Sequence, residues 1–344
     1  MTRPKPLAPR PDPADSAGAV GEFGLIARVV ARSGTAALAD VGPGDDAAVL
    51  RAPDGRVVAS TDVLVEGRHF RRDWSSAEDV GHKAAAANLA DIAAMGAVPT
   101  ALLVGLVCPA GTAAGWAEGV ATGMAEECAP FGAAVVGGDT SASAPDSQSV
   151  VLSVTALGDL GGRAPVLRSG ARPGDVVAVA GRLGWSACGL AVLRRGFTAP
   201  AAAVTAHRRP RPPYADGPAA ADAGATAMCD TSDGLLADAG HLAADSGVVI
   251  DLDGAVLRET FVTGPLPQVA AALGGDPLTW VLTGGEDHAL VATFPVGVEL
   301  PAGWARIGIV QQATESGPEV RVDGVPAPQV ATELGEGTGH VHFG

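Results

Sequence analysis

The chain has 344 residues, 47% hydrophobic and 18% charged, enough apolar material for two ordinary domain cores and the composition of a globular rather than a disordered protein. A formal net charge of −15 argues against nucleic acid as a partner, and an acidic chain that handles anionic nucleotides must place cations between itself and them. Cys108, Cys128, Cys188 and Cys229 form no C-x-x-C pair and lack metal-ligand spacing, so they read as small buried thiols of a reducing, cytoplasmic compartment.

Residues 1–20 are rich in Pro, lack the apolar core of a signal peptide and read as a disordered tail. A helix is predicted over 21–33, with Phe23, Ile26, Val29 and Val30 at helical spacing and Gly34 behind it. A short strand at 57–59 leads into Ser60-Thr61-Asp62 at its end. Residues 79–95 carry good helix formers closed by Gly96, and helical spacing puts Lys83, Asn88 and Asp91 on one side. The run 92–117 has no charged residue, yet Gly96, Pro99, Gly105, Pro109 and Gly111 interrupt it, so it parses as a helix end, a buried strand at 101–107 and a turn, not a membrane span.

Val135-Val136 run into Gly137-Gly138-Asp139, and 150–157 reads as the next strand. The turn-rich RSGARPGD (168–175) precedes a fresh strand at 176–180, so the chain divides into 21–162 and 163–344 near this segment. The second part repeats the α/β alternation, with a strand at 226–229, a turn at 230–234, a helix at 235–245 and a strand at 248–252. A strand pair is expected from 289–294 and 306–310, then a hairpin at 319–325 around Asp323-Gly324.

Aspartates recur in one kind of setting: Asp45-Asp46 after Gly44, Asp62 after Ser60 and Thr61, Asp91 on its helix, Asp139 after Gly138, and Asp230 and Asp233 flanking Ser232. Taken singly, each is ordinary turn or cap chemistry. Together they form carboxylates that would repel one another unless a cation lay between them, and Mg²⁺ prefers oxygen ligands shared with phosphates. The neighbouring glycines let the backbone approach phosphate. The Walker loop, the dinucleotide fingerprint, H-E-x-x-H, G-x-S-x-G and the protein-kinase signatures are all missing.

GEFGLIARV (21–29), VGPGDDAAV (41–49), STDVLVEGRHF (60–70), GHKAAAANLADIAAMGAVP (81–99), GGDT (137–140), RSGARPGD, DTSDGL (230–235) and TGGEDHAL (283–290) follow the order seen in thiamine-monophosphate kinases, which the chain resembles over roughly 21–310. The resemblance implies the two-domain α/β fold of aminoimidazole ribonucleotide synthetase, with N-terminal domains that form a sheet barrel in a homodimer. It implies ATP as co-substrate, thiamine monophosphate as acceptor and several Mg²⁺ ions. Carried over by position, Asp45, Asp46, Ser60, Thr61, Asp62, Asp91, Asp139, Asp230 and Asp233 match metal ligands. Asp62, Asp91, Asp139 and Asp233 are the ones expected to matter most for catalysis. Gly138, Asp139, Arg168 and Ser232 match ATP contacts, and His69 and Glu286 match substrate contacts. If the tails align, His340 stands where relatives carry an aromatic residue against the thiamine. The rival within the fold is a synthetase that activates an amide oxygen; a catalytically silent scaffold would be expected to have lost some of these aspartates.

Overall fold

The computed structural model describes residues 12–43 and 47–339. Helices α1 (Ala17–Val20) and α2 (Glu22–Val30) and a ribbon of β1 (Ala39–Val41) with β2 (Val49–Leu50) lead into the first sheet. That sheet is built from β3 (Val58–Val65), β4 (Val98–Cys108), β5 (Val135–Ala142) and β6 (Val151–Asp159) in the order β3-β6-β4-β5. Helices α3 (Ala77–Ala94) and α4 (Ala114–Cys128) cover one face, burying Leu64, Leu102, Leu106, Leu152 and Val154 against Leu89, Ile92 and Met124. The other face is packed at one end by Ala36, Ala39 and Leu50 and is otherwise uncovered, showing Val63, Leu103 and Val107 to solvent.

The second sheet has seven strands in the order β13-β12-β9-β11-β7-β10-β8. In chain order its part of the molecule contains β7 (Val176–Ala180), α5 (Trp185–Arg194), α6 (Ala201–Arg208), α7 (Asp216–Asp222), β8 (Ala227–Asp230), α8 (Leu235–Ser246) and β9 (Val248–Leu252). Then follow α9 (Gly254–Phe261), α10 (Leu266–Leu273), α11 (Pro277–Thr283), β10 (Leu290–Phe294), β11 (Trp304–Gln312), β12 (Glu319–Val322), β13 (Val325–Pro326) and α12 (Ala327–Glu333). Two apolar clusters, one on each side of this sheet, make its core.

Three sequence expectations need correction. Strand β3 continues to Val65, so Ser60, Thr61 and Asp62 lie within it and not at its end. Alternation turns Ser60 and Asp62 toward α3, where Ser60 Oγ donates to Asp91 and Asn88 Oδ1 accepts from the Asp62 backbone N–H. Gly137-Gly138-Asp139 likewise lies inside β5 and not in a turn. Segments 289–294 and 306–310 are both strands, but β7 runs between them and pairs with each. The hairpin at Asp323-Gly324 forms, with φ of 52° and 77° at its corner. No described helix is long and apolar enough to cross a membrane, and the uncharged run 92–117 is shared among α3, β4 and α4.

Helix α3 begins with a capping box: Ser76 Oγ accepts from the Asp79 N–H, and the Asp79 carboxylate accepts from the Ser76 N–H. It crosses α4 at backbone contact, since a Cβ on Gly81 would lie 2.0 Å from the Val120 carbonyl oxygen and one on Gly123 would lie 2.1 Å from that of Glu78. Gly81→Ala and Gly123→Ala should therefore each cost about 1–3 kcal/mol of stability by forcing the helices apart. Gly240, helical in α8 with nothing within 4 Å of its added Cβ, serves as the control. Gly240→Ala should gain up to about 1 kcal/mol, and denaturant titrations that rank the three otherwise would refute the tight crossing.

Candidate active site

Helix α3 is buried along most of its length because the first sheet lies on one side of it and the second part of the molecule on another. Gly217 of α7 lets that part approach, as a Cβ there would be 2.0 Å from the Ala93 carbonyl oxygen. Polar contacts hold the same boundary. Arg209 pairs with Asp79, and the Tyr214 hydroxyl donates to Glu127 at 2.7 Å. Any charged residue on the inner face of α3 is thus forced to meet groups from both parts of the chain.

Asp91 is the clearest case. Ser60 Oγ donates to its Oδ2 at 2.6 Å from β3, while Asn88 Oδ1 accepts from the Asp62 N–H at 3.1 Å and ties the same strand to the helix. Burial, then the negative charge of Asp230 from the other part, pushes the Asp91 carboxyl up to about 7, and Asp62 adds to the push. The His288 Nδ1 lies 3.0 Å from Asp230 Oδ2, and both side chains are buried. Beside them, Asp238 Oδ2 accepts from the N–H groups of Asp233 and Gly234 at 3.0 and 2.9 Å, which fixes the 230–234 turn. Burial and then Asp230 push Asp238 to about 7 as well.

The facing loop, 284–288, is zipped to that turn by backbone. Glu286 N–H donates to Ser232 O at 2.8 Å and Thr231 N–H to Ala289 O at 2.7 Å. Gly285 permits the approach, since a Cβ there would be 2.3 Å from Ser232 O. Glu286 and His288 take left-handed φ values of 64° and 52°, a costly conformation for residues with side chains. Lys83 Nζ reaches from α3 to Glu286 Oε1 at 3.1 Å. Burial alone would raise the Glu286 carboxyl, but the Lys83 ammonium outweighs it and holds it at about 2.

The remaining sequence candidates are placed as follows. Ser60, Asp62, Asp91 and Asp230 share one neighbourhood, with Ser232, Asp233 and Glu286 on the adjoining loops. Thr61 points to the other face of the sheet, where its hydroxyl donates to Val154 O and accepts from Thr155. Strand register puts Asp139 in line with Gly105, Ser153 and Val63 on that uncovered face, opposite Asp62. His69 is half-buried and its Nδ1 accepts from the Val65 N–H at 2.9 Å. Arg168 is exposed, its carbonyl accepting from Ser246 Oγ at 3.1 Å, and Gly138 comes so near β4 that a Cβ would be 2.0 Å from Val104 O. Asp45, Asp46 and His340 lie outside the described residues. Among the described residues no three His, Cys, Asp or Glu side chains stand close enough to hold a metal ion by themselves.

Sequence reasoning overlooked His288, Asp238 and Asp287. The signal was present, since Asp287 and His288 follow Glu286 directly and enter a buried strand, where polar groups need partners. Nothing local marked Asp238, which sits in the first turn of α8 like any dipole-compensating acid.

Residues 44–160 match the family model for the N-terminal domain of AIR synthase related proteins. The thiamine-monophosphate kinase of Mycobacterium tuberculosis (strain CDC 1551 / Oshkosh) is 53% identical over 85% of this chain and 85% of its own. The chain belongs to the thiamine-monophosphate kinase family. The family's member in Corynebacterium glutamicum is 41% identical over 85% of this chain and 87% of its own. The structure of AaThiL complexed with AMPPCP and TMP superposes with a TM-score of 0.74 at 32% identity, covering 94% of this chain and 97% of that one. The mixed α/β architecture with an AIR-synthase-like first domain is that of the family.

One group beside this kinase-family loop sets a pH dependence of stability. Asp287 Oδ1 accepts from the Ser186 N–H at 2.9 Å, its Oδ2 is buried without a partner, and burial raises the carboxyl to about 7. Between the unfolded value of about 3.9 and that folded value, the native state holds the extra proton, so stability falls as pH rises through this window. Asp287→Asn removes the titration: melting temperatures of parent and variant should diverge in the variant's favour from pH 5 to pH 8. Parallel curves would show that Asp287 is ionised throughout.

Proposed function

We infer that the chain transfers the γ-phosphoryl group of ATP to the phosphate of thiamine monophosphate, giving ADP and thiamine diphosphate. The observation that carries this reading is the meeting of Asp91 with Asp230 and Asp62 across the boundary between the two parts, in a chain of this family. Carboxylates so placed stay ionised together only with a cation among them. Oxygen donors from Ser60, Asp62, Asp91 and Asp230 suit Mg²⁺, which takes one or two carboxylates and completes its shell with phosphate oxygens and water. We propose Asp45, Asp46 and Asp233 as further ligands, direct or through water, and Asp139, on the other face of the sheet, as a ligand of a separate ion.

In the reaction an acceptor phosphate oxygen bonds to the γ-phosphorus as the bond from that phosphorus to the β,γ-bridging oxygen breaks. The acceptor's second pKa of about 6 leaves it largely dianionic at neutral pH, so no general base is required. Bound Mg²⁺ would neutralise the charge that keeps donor and acceptor apart. The chain's own residues position the two. Ser60 orients Asp91, Asp238 shapes the turn that presents Ser232 and Asp233, and Arg168 can clamp phosphate. Glu286, about a third exposed at 32%, and His69 face the thiamine end. Gly339 passes close to Ala237 and the Asp233 carbonyl oxygen, and we propose His340 as a further acceptor contact.

The rest of the proposal concerns assembly and place. The division into 21–162 and 163–344 gives each sheet its own domain. The uncovered face bearing Val63, Leu103 and Val107 supports a homodimer in which two such sheets form a barrel. Four buried free cysteines are in keeping with the cytoplasm.

Purified protein with ATP and Mg²⁺ should convert thiamine monophosphate to the diphosphate, with no label from the γ-phosphate left on the protein. Free thiamine, which lacks the acceptor phosphate, should be at least a hundredfold poorer. Equal use of free thiamine, or a labelled phosphoprotein intermediate, would refute the direct transfer.

A further inference from the structure

The inner face of α3 carries one buried cation that the chemistry above leaves unused. Lys83 is 5% exposed, and its Nζ has the Glu286 carboxylate at 3.1 Å as its ion-pair partner and no other hydrogen-bond acceptor. A buried ammonium without further acceptors is costly unless its one counter-ion is held in place. Glu286 is itself constrained. Its backbone is left-handed, its N–H is bound to Ser232 O, and its second oxygen, Oε2, lies 3.5 Å from His207 Nδ1. Burial first, then the nearby Lys83, keeps His207 neutral, with its pKa lowered to about 3, and Ser186 Oγ lies 3.0 Å from the same Nδ1. The full charge opposite Glu286 from the helix side is therefore Lys83.

The pair also joins the two parts of the molecule. Lys83 stands two turns before Asp91 on the same helix, so one rigid element carries both the carboxylate at the metal-binding neighbourhood and the anchor of Glu286. We propose that Lys83 is a positioning residue for the acceptor: by holding Glu286 Oε1 it sets where the thiamine moiety is gripped relative to Asp91, across the domain boundary. This rests on the reading of Glu286 as an acceptor contact. Lys83 itself touches neither substrate, because it lies behind Glu286 and is buried.

The test is steady-state kinetics on Lys83→Met, Glu286→Gln and the double variant, with both substrates varied. Lys83→Met should raise KM for thiamine monophosphate tenfold or more while KM for ATP stays within about twofold, a split that simple loss of stability would not produce. In the Glu286→Gln background, Lys83→Met should add nothing to the acceptor KM. If Glu286→Gln raises the acceptor KM and Lys83→Met does not, the positioning role is overturned and the contact stands. If Glu286→Gln leaves the acceptor KM unchanged, the contact itself falls and the proposal falls with it. Should Lys83→Met not fold because Glu286 loses its counter-ion, the double variant, which has no unpaired charge there, decides. An acceptor KM equal to that of Glu286→Gln supports the proposal, and a further rise overturns it.

Discussion

Helix α3 sits between the two parts of the chain, and its inner face is largely shut off from bulk water. Every polar group on that face must be answered by one from β3 or from the loops of the second sheet. Asn88 is answered on both its oxygen and its nitrogen, by Asp62 N–H at 3.1 Å and Ala84 O at 2.9 Å, and Lys83 by Glu286. Asp91 is the exception, since beyond Ser60 it meets Asp230, another carboxylate. Such a pairing is unfavourable in the bare protein and becomes favourable when a cation and phosphates enter. The structure thus keeps its least comfortable electrostatics at the place where ligand binding can relieve them.

The surroundings are shaped to hold that helix close. The α3–α4 crossing at Gly81 and Gly123 and the approach of α7 at Gly217 leave no room for a methyl group, so the helix cannot retreat from the opposing carboxylates. The loop 284–288 carries two non-glycine residues in left-handed conformation, each costing of order 1 kcal/mol, and is locked by backbone bonds to the 230–234 turn. Strain of this kind persists where surrounding contacts over-determine it. Here those contacts are Lys83 to Glu286 and His288 to Asp230.

Much of this was legible in the sequence, for reasons that differ by element. Residues 77–94 show as a helix through their alanine content and Gly96, and helical spacing alone put Lys83, Asn88 and Asp91 on one side. The full length of β3 was hidden because Ser60 and Asp62 look like a strand end until their partners on α3 are known. Helices α5 to α7 and α9 to α11 are only 7 to 10 residues long, too short for a clear apolar period to stand out. The ion pair of Lys83 with Glu286 had no local signature, because it depends on how the two parts dock. Asp139 shows the converse: its motif is plain in sequence, yet register sets it on the sheet face away from Asp91.

The central claim is that Asp91 serves ligand binding at the expense of the empty protein. Asp91→Asn measures it most directly, by melting at pH 8 with and without Mg²⁺ and ATP, followed by turnover. Removing one of the facing charges should leave the ligand-free melting temperature level or higher, shrink the rise produced by Mg²⁺ and ATP, and cut turnover by orders of magnitude. A variant that melts lower when empty yet keeps near-normal turnover would contradict the account and make Asp91 a structural residue.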